Sequence, residues 1–296
     1  MIYIGEINYL NIFPIYYHLK KEMKIHSELN FLEFIYGTPA FLNNSLKSGN
    51  IDIGPSSSFY YILNYRSSLI FRDISISSKK TVKSIYLFSP KPIGNFEGDE
   101  TIYVTPETLT SLSLLKILLI EIYKFDIDKF NFITLPSGGN FEFKSKFHKM
   151  DSKILLHIGN NALKFKREIK TGYYAYDLAS LWYEFTGLPF VFALFIIRKD
   201  SYYRKQNEFK MLYNYLIKSK EDAVNGFQEA ALSILKNEEY NFISYEELID
   251  YWTNALSFDF GEGEIGGFKL YCELLRKNKL INSIPALNFA LGGKNM

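Results

Sequence analysis

Apolar residues recur along the chain with two spacings, a period of two that predicts strands and a period near 3.6 that predicts helices. Through the first two thirds of the chain the two patterns follow each other in turn. The strand pattern occupies residues 2–7, 30–36, 51–54, 69–77, 81–89, 101–105, 131–135, 153–158, 173–176 and 188–198. Strands that alternate with helices predict an α/β protein with mainly parallel sheets.

The last third of the chain has only the helical pattern. Ser244 and Glu247 stand in the Ser-x-x-Glu order of a capping box, which supports the helix that follows them. The segment 136–150, rich in glycine and then basic, predicts a surface loop. Predicted helices begin near residues 15, 38, 59, 112, 162, 178, 202, 221, 245 and 264.

Two extended segments divide the chain into two units. The segment 81–89 leads into a linker at 91–99 that contains Pro and Gly, and the segment 188–198 leads back. We therefore predict two lobes with a cleft between them. The first lobe is discontinuous and comprises residues 1–88 plus 194–296, and the second comprises residues 89–193.

Short polar side chains occupy four predicted strand-to-helix turns. These turns contain Asn11, Ser56 to Ser58, Thr108 to Ser111, and Asn160 with Asn161. In parallel sheets such turns lie at the carboxyl ends of the strands, where ligands bind and where helix N-termini favour anions. Each turn by itself is typical of a helix cap. Four in succession leave capping and the binding of a small anion both open.

One further hydroxyl stands out within a predicted strand. The period of two in 81–89 places Ser84 on the same face as Val82, Tyr86 and Phe88. Ser84 is thus predicted to be a single hydroxyl among large side chains.

Composition and charge exclude several classes of protein. The chain has 296 residues, 47% of them hydrophobic, which is enough for two cores. Its net charge is +2 without a long basic run, so we do not expect it to bind nucleic acid. The apolar runs at 112–122 and 188–197 are too short or interrupted for a membrane span. A single cysteine, Cys272, and no visible signal peptide predict a cytoplasmic protein, and no pattern assigns an oligomeric state.

Two other groups of residues do not predict a site. The run 261–266 matches the dinucleotide fingerprint by letter, but it follows a helix and too little chain remains for a second strand. The four histidines, His18, His26, His148 and His157, lack the spacing of metal ligands, so no metal site is predicted. His157 lies in an apolar strand and is expected to be a core residue.

Several motifs together resemble one family, the chorismate dehydratases of the futalosine route to menaquinone. These motifs are INYLNIFP at 7–14, DIGPSS at 52–57, TSLSLLKILL at 110–119, IGNNAL at 158–163, YDL with Trp182, and TGLPFVFA at 186–193. The resemblance implies a type II periplasmic-binding-protein fold. It also implies that the small-molecule substrate chorismate loses water to give 3-[(1-carboxyvinyl)oxy]benzoate without a metal or organic cofactor.

The resemblance further implies roles for individual residues. Asn11 and Ser84 match the expected catalytic positions. One position departs from the family, which usually has Asp where this chain has Asn160. The neutral amide there keeps hydrogen bonding but has no charge. The substrate-binding residues implied or placed nearby are Ser56, Ser57, Thr110, Ser111, Gly159 and Asn160.

The residue types fit a dehydration in which the substrate supplies its own base. A hydroxyl-rich pocket can hold both carboxylates of chorismate and exclude water. We hypothesise that the enolpyruvyl carboxylate removes the C3 proton while Asn11 and Ser84 orient it. Two alternatives remain, a solute-binding protein of the same fold and the sister 1,4-dihydroxy-6-naphthoate synthase. The sister family opens with a Ser-Pro-Cys-Pro-Asn-like motif that this chain lacks.

Overall fold

The computed structural model describes residues 1–136, 152–169 and 172–291, and its architecture is α/β as predicted. Helices pack on two five-stranded sheets. Most of the loop predicted at 136–150, with His148, lies outside the described residues. The strands are β1 (Ile2–Glu6), β2 (Leu32–Tyr36), β3 (Ile53–Ser57), β4 (Ser68–Ser78), β5 (Ile85–Ser89), β6 (Thr101–Val104), β7 (Asn131–Thr134), β8 (Ile154–Ile158), β9 (Tyr174–Asp177) and β10 (Phe190–Arg198).

The α-helices agree with the predicted positions except in the last third of the chain. The helix predicted from 202 is broken at Lys205, and the helix predicted from 221 is broken at Gly226, whose backbone is not helical. Glycine favours such a break because it is a poor helix former. The helices are α1 (Phe13–Ile25), α2 (Pro39–Ser48), α3 (Ser58–Asn64), α4 (Leu109–Glu121), α5 (Gly159–Glu168), α6 (Leu178–Thr186), α7 (Lys199–Arg204), α8 (Gln206–Asn225), α9 (Phe227–Ile234), α10 (Tyr245–Asp250) and α11 (Glu262–Lys277).

Local motifs in the last third behave as predicted. The Ser244 hydroxyl accepts a hydrogen bond from Glu247 N, and the Glu247 carboxylate accepts one from Ser244 N, so the capping box is confirmed. The α10 helix continues as a π-helix, Tyr251–Ala255. The run 261–266 forms the start of α11 and not a nucleotide-binding loop.

The first sheet has the strand order β2-β1-β3-β10-β4, and the second has the order β7-β6-β8-β5-β9. In each sheet two strand pairs are parallel and two are antiparallel. The prediction of mainly parallel sheets is therefore wrong. Its cause is the pair of strands β5 and β10, which the chain enters from the other sheet and which both run antiparallel to their neighbours.

The two segments that cross between the sheets do not end at the predicted lobe boundaries. The chain leaves the first sheet after Ser78 and enters the second sheet at Ile85, although residues up to 88 were predicted in the first lobe. It returns to the first sheet at Phe190, although residues up to 193 were predicted in the second lobe. Extended residues at a crossing carry no sequence signal for which sheet they pair with.

Aromatic side chains fill the cores on both sides of the sheets. Among the described residues, the twelve largest fully buried side chains are all Trp, Tyr or Phe, including Trp182 and Trp252. Cys272 and His157 are also buried, as predicted for core residues. Burial lowers the pKa of His157 to about 3, so this imidazole is neutral at physiological pH. Within the described residues, every helix is too short or too polar to cross a bilayer.

Candidate active site

A cleft lies between the two sheets at the ends of several strands. Its empty space, counted out to the open mouth, is about 770 Å³. The walls are mainly aliphatic, with polar side chains from both sheets. Seven of the eight predicted site residues line the cleft: Asn11, Ser56, Ser57, Ser84, Thr110, Ser111 and Gly159.

Asn11 belongs to the loop between β1 and α1, and its side chain lines the cleft. The residue that caps α1 is Ile12, and no side-chain hydrogen bond is made at that cap. Pro14 starts the helix instead, because its fixed φ suits the first helical turn. The amide of Asn11 is therefore not used as a helix cap, which leaves ligand binding as its remaining predicted role.

The loop that carries Asn11 is held in place by two other elements. The indole nitrogen of Trp252 donates to Leu10 O at 2.7 Å in a buried hydrogen bond. From the second sheet, Asn160 Oδ1 accepts from Leu10 N at 3.0 Å, and Asn160 Nδ2 donates to Asn8 O at 3.0 Å. Asn160 is not among the residues that line the cleft. Its amide positions the loop that carries Asn11.

Ser84 lines the cleft from the crossing between the sheets and is 2% exposed. It precedes β5, and Lys83 before it has a positive φ of 55°, so the alternation predicted from residue 81 does not apply there. Tyr251 donates to Ser84 Oγ at 2.9 Å, and Ser84 Oγ donates to Val82 O at 3.2 Å. Tyr251 lies within an apolar helical pattern, and no local sequence pattern predicts this contact.

The backbone before Ser84 is fixed by a single carboxylate. Asp177 accepts from Thr81 Oγ1 at 2.7 Å and from Lys83 N at 2.7 Å. It also accepts from the backbone of Ala179, at the start of α6, at 3.0 Å. Asp177 therefore caps α6, and the same carboxylate orders the crossing that positions Ser84.

The two predicted serines of the first sheet differ in their contacts. Ser57 Oγ accepts from Tyr60 N at 3.1 Å and caps α3. Ser56 Oγ is buried without a hydrogen-bond partner among the described residues. Buried hydroxyls are usually paired, so an unpaired one on the wall of a cleft is suited to bind a ligand.

Thr110 and Ser111 lie in the first turn of α4, as predicted. Thr110 Oγ1 accepts from Phe59 N at 3.0 Å, which joins α4 to the start of α3 on the other side of the cleft. Ser111 is 3% exposed and lines the same wall. The N-termini of α4 and α5 both meet the cleft, and the positive ends of the two helix dipoles favour an anionic ligand.

Gly159 is the point where the second sheet approaches the Asn11 loop most closely. Its φ is +69°, and a Cβ built on it would lie 3.0 Å from Tyr9 Cζ. Its N–H donates to Ser84 O at 2.8 Å. Both the conformation and the close approach require glycine at this position.

Glu107 lines the cleft and was not predicted as a site residue. It lies in the turn between β6 and α4, beside Thr110 and Ser111. Burial raises the pKa of its carboxyl above the usual value. Among the described residues that line the cleft there is no Lys, Arg or His, and no group of described side chains is arranged to hold a metal ion.

Comparison of the sequence with known protein families identifies the family of this protein. A sequence profile described as menaquinone biosynthesis matches residues 2–277. The chain belongs to the menaquinone biosynthesis family. The family resemblance seen in the motifs is confirmed, and the matched range includes every residue of the cleft.

Two curated relatives of this protein are named chorismate dehydratase. The protein of Thermus thermophilus is 26% identical over 214 residues, which cover 67% of this chain and 70% of that protein. The protein of Campylobacter jejuni is 28% identical over 202 residues, which cover 68% of this chain and 70% of that protein.

Solved structures of other proteins have the same fold as this chain. An Archaeoglobus fulgidus protein superposes with a TM-score of 0.71 at 16% identity, over 95% of this chain and 98% of that one. A Candida albicans protein described as having the generic periplasmic-binding-protein fold gives a TM-score of 0.64 at 14% identity, over 99% of each chain. The predicted two-lobed, periplasmic-binding-protein-like fold is confirmed.

Proposed function

We propose that this protein is a chorismate dehydratase that converts chorismate to 3-[(1-carboxyvinyl)oxy]benzoate and water in menaquinone biosynthesis. Its family and the names of its two curated relatives support this assignment. The structural observation that carries it is the cleft itself, where Asn11 from the first sheet and Ser84 from the crossing line one space with hydroxyls of both sheets.

The hydroxyls and helix ends supply the means to bind a dicarboxylate. The Ser56 hydroxyl has no partner in the described part of the chain, and Ser111 lies in the first turn of α4. In the proposed complex these groups and the N–H groups at the starts of α4 and α5 bind the two carboxylates. The aliphatic wall excludes water from the ring, which strengthens those hydrogen bonds.

The reaction breaks the C3–H and C4–O bonds of chorismate and forms an aromatic ring. In our proposal the enolpyruvyl carboxylate of the substrate accepts the C3 proton and passes it to the C4 hydroxyl, which leaves as water. Tyr251 donates to Ser84 Oγ, so the proton of Ser84 points away from Tyr251, toward Val82 O at 3.2 Å, and in our proposal Ser84 donates to the substrate in place of that long hydrogen bond. Ser84 and the Asn11 amide are placed to orient the carboxylate and the departing hydroxyl.

Incubation of the purified protein with chorismate tests the assignment. The ultraviolet absorbance of the cyclohexadiene should disappear, and chromatography should identify the benzoate product in equal amount. An unchanged spectrum at high protein concentration would overturn the proposal. The cytoplasmic location expected from the sequence stays a prediction.

A further inference from the structure

The Glu107 carboxyl lies in the wall of a cleft that has to receive two negative charges. It is partly buried, and it lies beside Thr110 and Ser111, near the start of α4. It belongs to the turn after β6, while Tyr9 on the opposite side belongs to the loop after β1. A ligand that fills the cleft therefore lies against this carboxyl.

The titratable group that faces Glu107 within the described part of the cleft is the Tyr9 phenol. Burial, together with the negative charge of Glu107, raises the pKa of Tyr9 far above its usual value, so the phenol is neutral throughout the physiological range. Burial also raises the pKa of Glu107. No lysine, arginine or histidine is found among the described lining residues, so none of them offsets a carboxylate there.

A bound dicarboxylate would add two negative charges beside this carboxyl. Like charges at close range disfavour ionisation, so that one of several carboxyl groups sharing a site holds a proton. A neutral carboxyl has an O–H donor that an ionised one lacks, and it can bind a carboxylate by a short hydrogen bond. The same side chain thus repels the ligand in one protonation state and binds it in the other.

We propose that Glu107 binds the substrate as a neutral carboxylic acid, which takes up a proton from solvent on binding and donates a hydrogen bond to a substrate carboxylate. This inference rests on the proposed function for the identity of the dianion. A role of this kind for Glu107 means that the affinity of the cleft for its ligand depends directly on pH.

The coupling predicts how the affinity changes with pH. If only the protonated form binds, the apparent dissociation constant rises on the order of tenfold per pH unit above the pKa of the carboxyl in the free protein. We expect this rise in KM for chorismate, and in the Kd for the expected product, over the pH range from that pKa up to pH 8.5. Tyr9 does not titrate over this range.

Glu107→Gln tests the assignment to this side chain. The amide is a permanent neutral donor, so the rise of KM and Kd with pH should disappear and the variant should bind more tightly than wild type at pH 8.5. Glu221→Gln, on the exposed surface of α8, is the matched control and should keep the wild-type slope. A Gln variant that keeps the slope, or that binds normally while kcat falls at least a hundredfold, overturns the proposal.

Calorimetry of the wild-type protein gives a second measurement that requires no variant. Titration with 3-[(1-carboxyvinyl)oxy]benzoate at pH 8 in phosphate and in Tris, which differ in ionisation enthalpy, should show uptake of about one proton per ligand. Binding without proton uptake overturns the inference and leaves the proposed function standing. Failure of the wild type to consume chorismate overturns the proposed function instead.

Discussion

For Asn11 and Ser84, the residue type and the local sequence do not predict the contacts that each side chain makes in the structure. Asn11 has the position of a helix cap in the sequence, yet the cap of α1 is Ile12 and the amide lines the cleft. Ser84 has the position of a strand residue, yet it precedes β5 and its hydroxyl accepts from Tyr251. In both cases the contacts come from residues distant in the chain.

We expect Asn11→Ala and Ser84→Ala each to lower kcat for chorismate by roughly 10²–10³-fold, the usual loss when one oriented donor is removed from an active site. Loss of chorismate absorbance, with the product measured by chromatography, gives kcat and KM. Asn207→Ala, on the exposed surface of α8, is the control for a general loss of folded protein. Near wild-type turnover in both variants would remove these residues from the mechanism.

Tyr251→Phe should act through Ser84. Removing the Tyr251 hydroxyl leaves Ser84 Oγ oriented only by its hydrogen bond to Val82 O, and we expect kcat to fall by about tenfold, the equivalent of one net hydrogen bond. In a double-mutant cycle the same change should have little further effect on kcat in the Ser84→Ala background. Equal effects on kcat in both backgrounds would show that Tyr251 acts independently of Ser84.

At the scale of elements, the loop between β1 and α1 depends on contacts from both lobes. Trp252, in the π-helix after α10, holds Leu10 O, and Asn160 at the start of α5 holds Leu10 N and Asn8 O. Asn160 thus joins the second sheet to the loop of the first that carries Asn11. Its predicted role in contacting substrate stays a prediction, and its observed contacts are those of a positioning residue.

Variants of Asn160 should therefore change substrate affinity more than chemistry. We expect Asn160→Ala to raise KM by about tenfold, because two hydrogen bonds that order the loop are lost. Asn160→Asp keeps the acceptor for Leu10 N but faces Asn8 O with a second oxygen, so an intermediate increase is expected. Steady-state kinetics measure this, with the exposed neighbour variant Asn161→Ala as control. Equal KM values for Asn160→Ala and the control would contradict it.

At the scale of the whole molecule, a buried carboxylate joins parts of the chain that are far apart in sequence. Asp52, just before β3, accepts from Tyr3 N at 2.8 Å, from Ser201 Oγ at 2.5 Å and from Lys205 Nζ at 2.9 Å. Burial alone raises the pKa of Asp52, but the bonds from Ser201, Tyr3 and Lys205 outweigh it and hold the pKa below its usual 3.8. The helices after β10 are thereby fixed to the first sheet.

This network predicts the response of stability to acid. A carboxyl whose pKa is depressed in the folded state stabilises the fold fully above its unfolded pKa, and that contribution is lost as the pH falls through the folded value. We expect the free energy of unfolding to fall below about pH 4, and Asp52→Asn to lose about 2 kcal/mol at pH 7.

Urea unfolding at pH 7 and at pH 3.5 measures both effects, with the exposed Asp128→Asn as control. The Asp52 variant should lose less stability than wild type between the two pH values, because it lacks the carboxyl that titrates. The same acid sensitivity in Asp52→Asn and wild type would show that other carboxyl groups determine it.

The sequence by itself determined the α/β class, the position of most elements, the family, and seven of the eight predicted residues that meet in the cleft. Periodicity and turn chemistry depend on residues that are neighbours in the sequence, so both can be recognised from the sequence. The tertiary structure decided the rest: the mixed direction of both sheets, Tyr251 behind Ser84, the position of Asn160 outside the lining, and Glu107 inside it. These features depend on contacts between residues that are far apart in the sequence, and no local sequence pattern predicts such contacts.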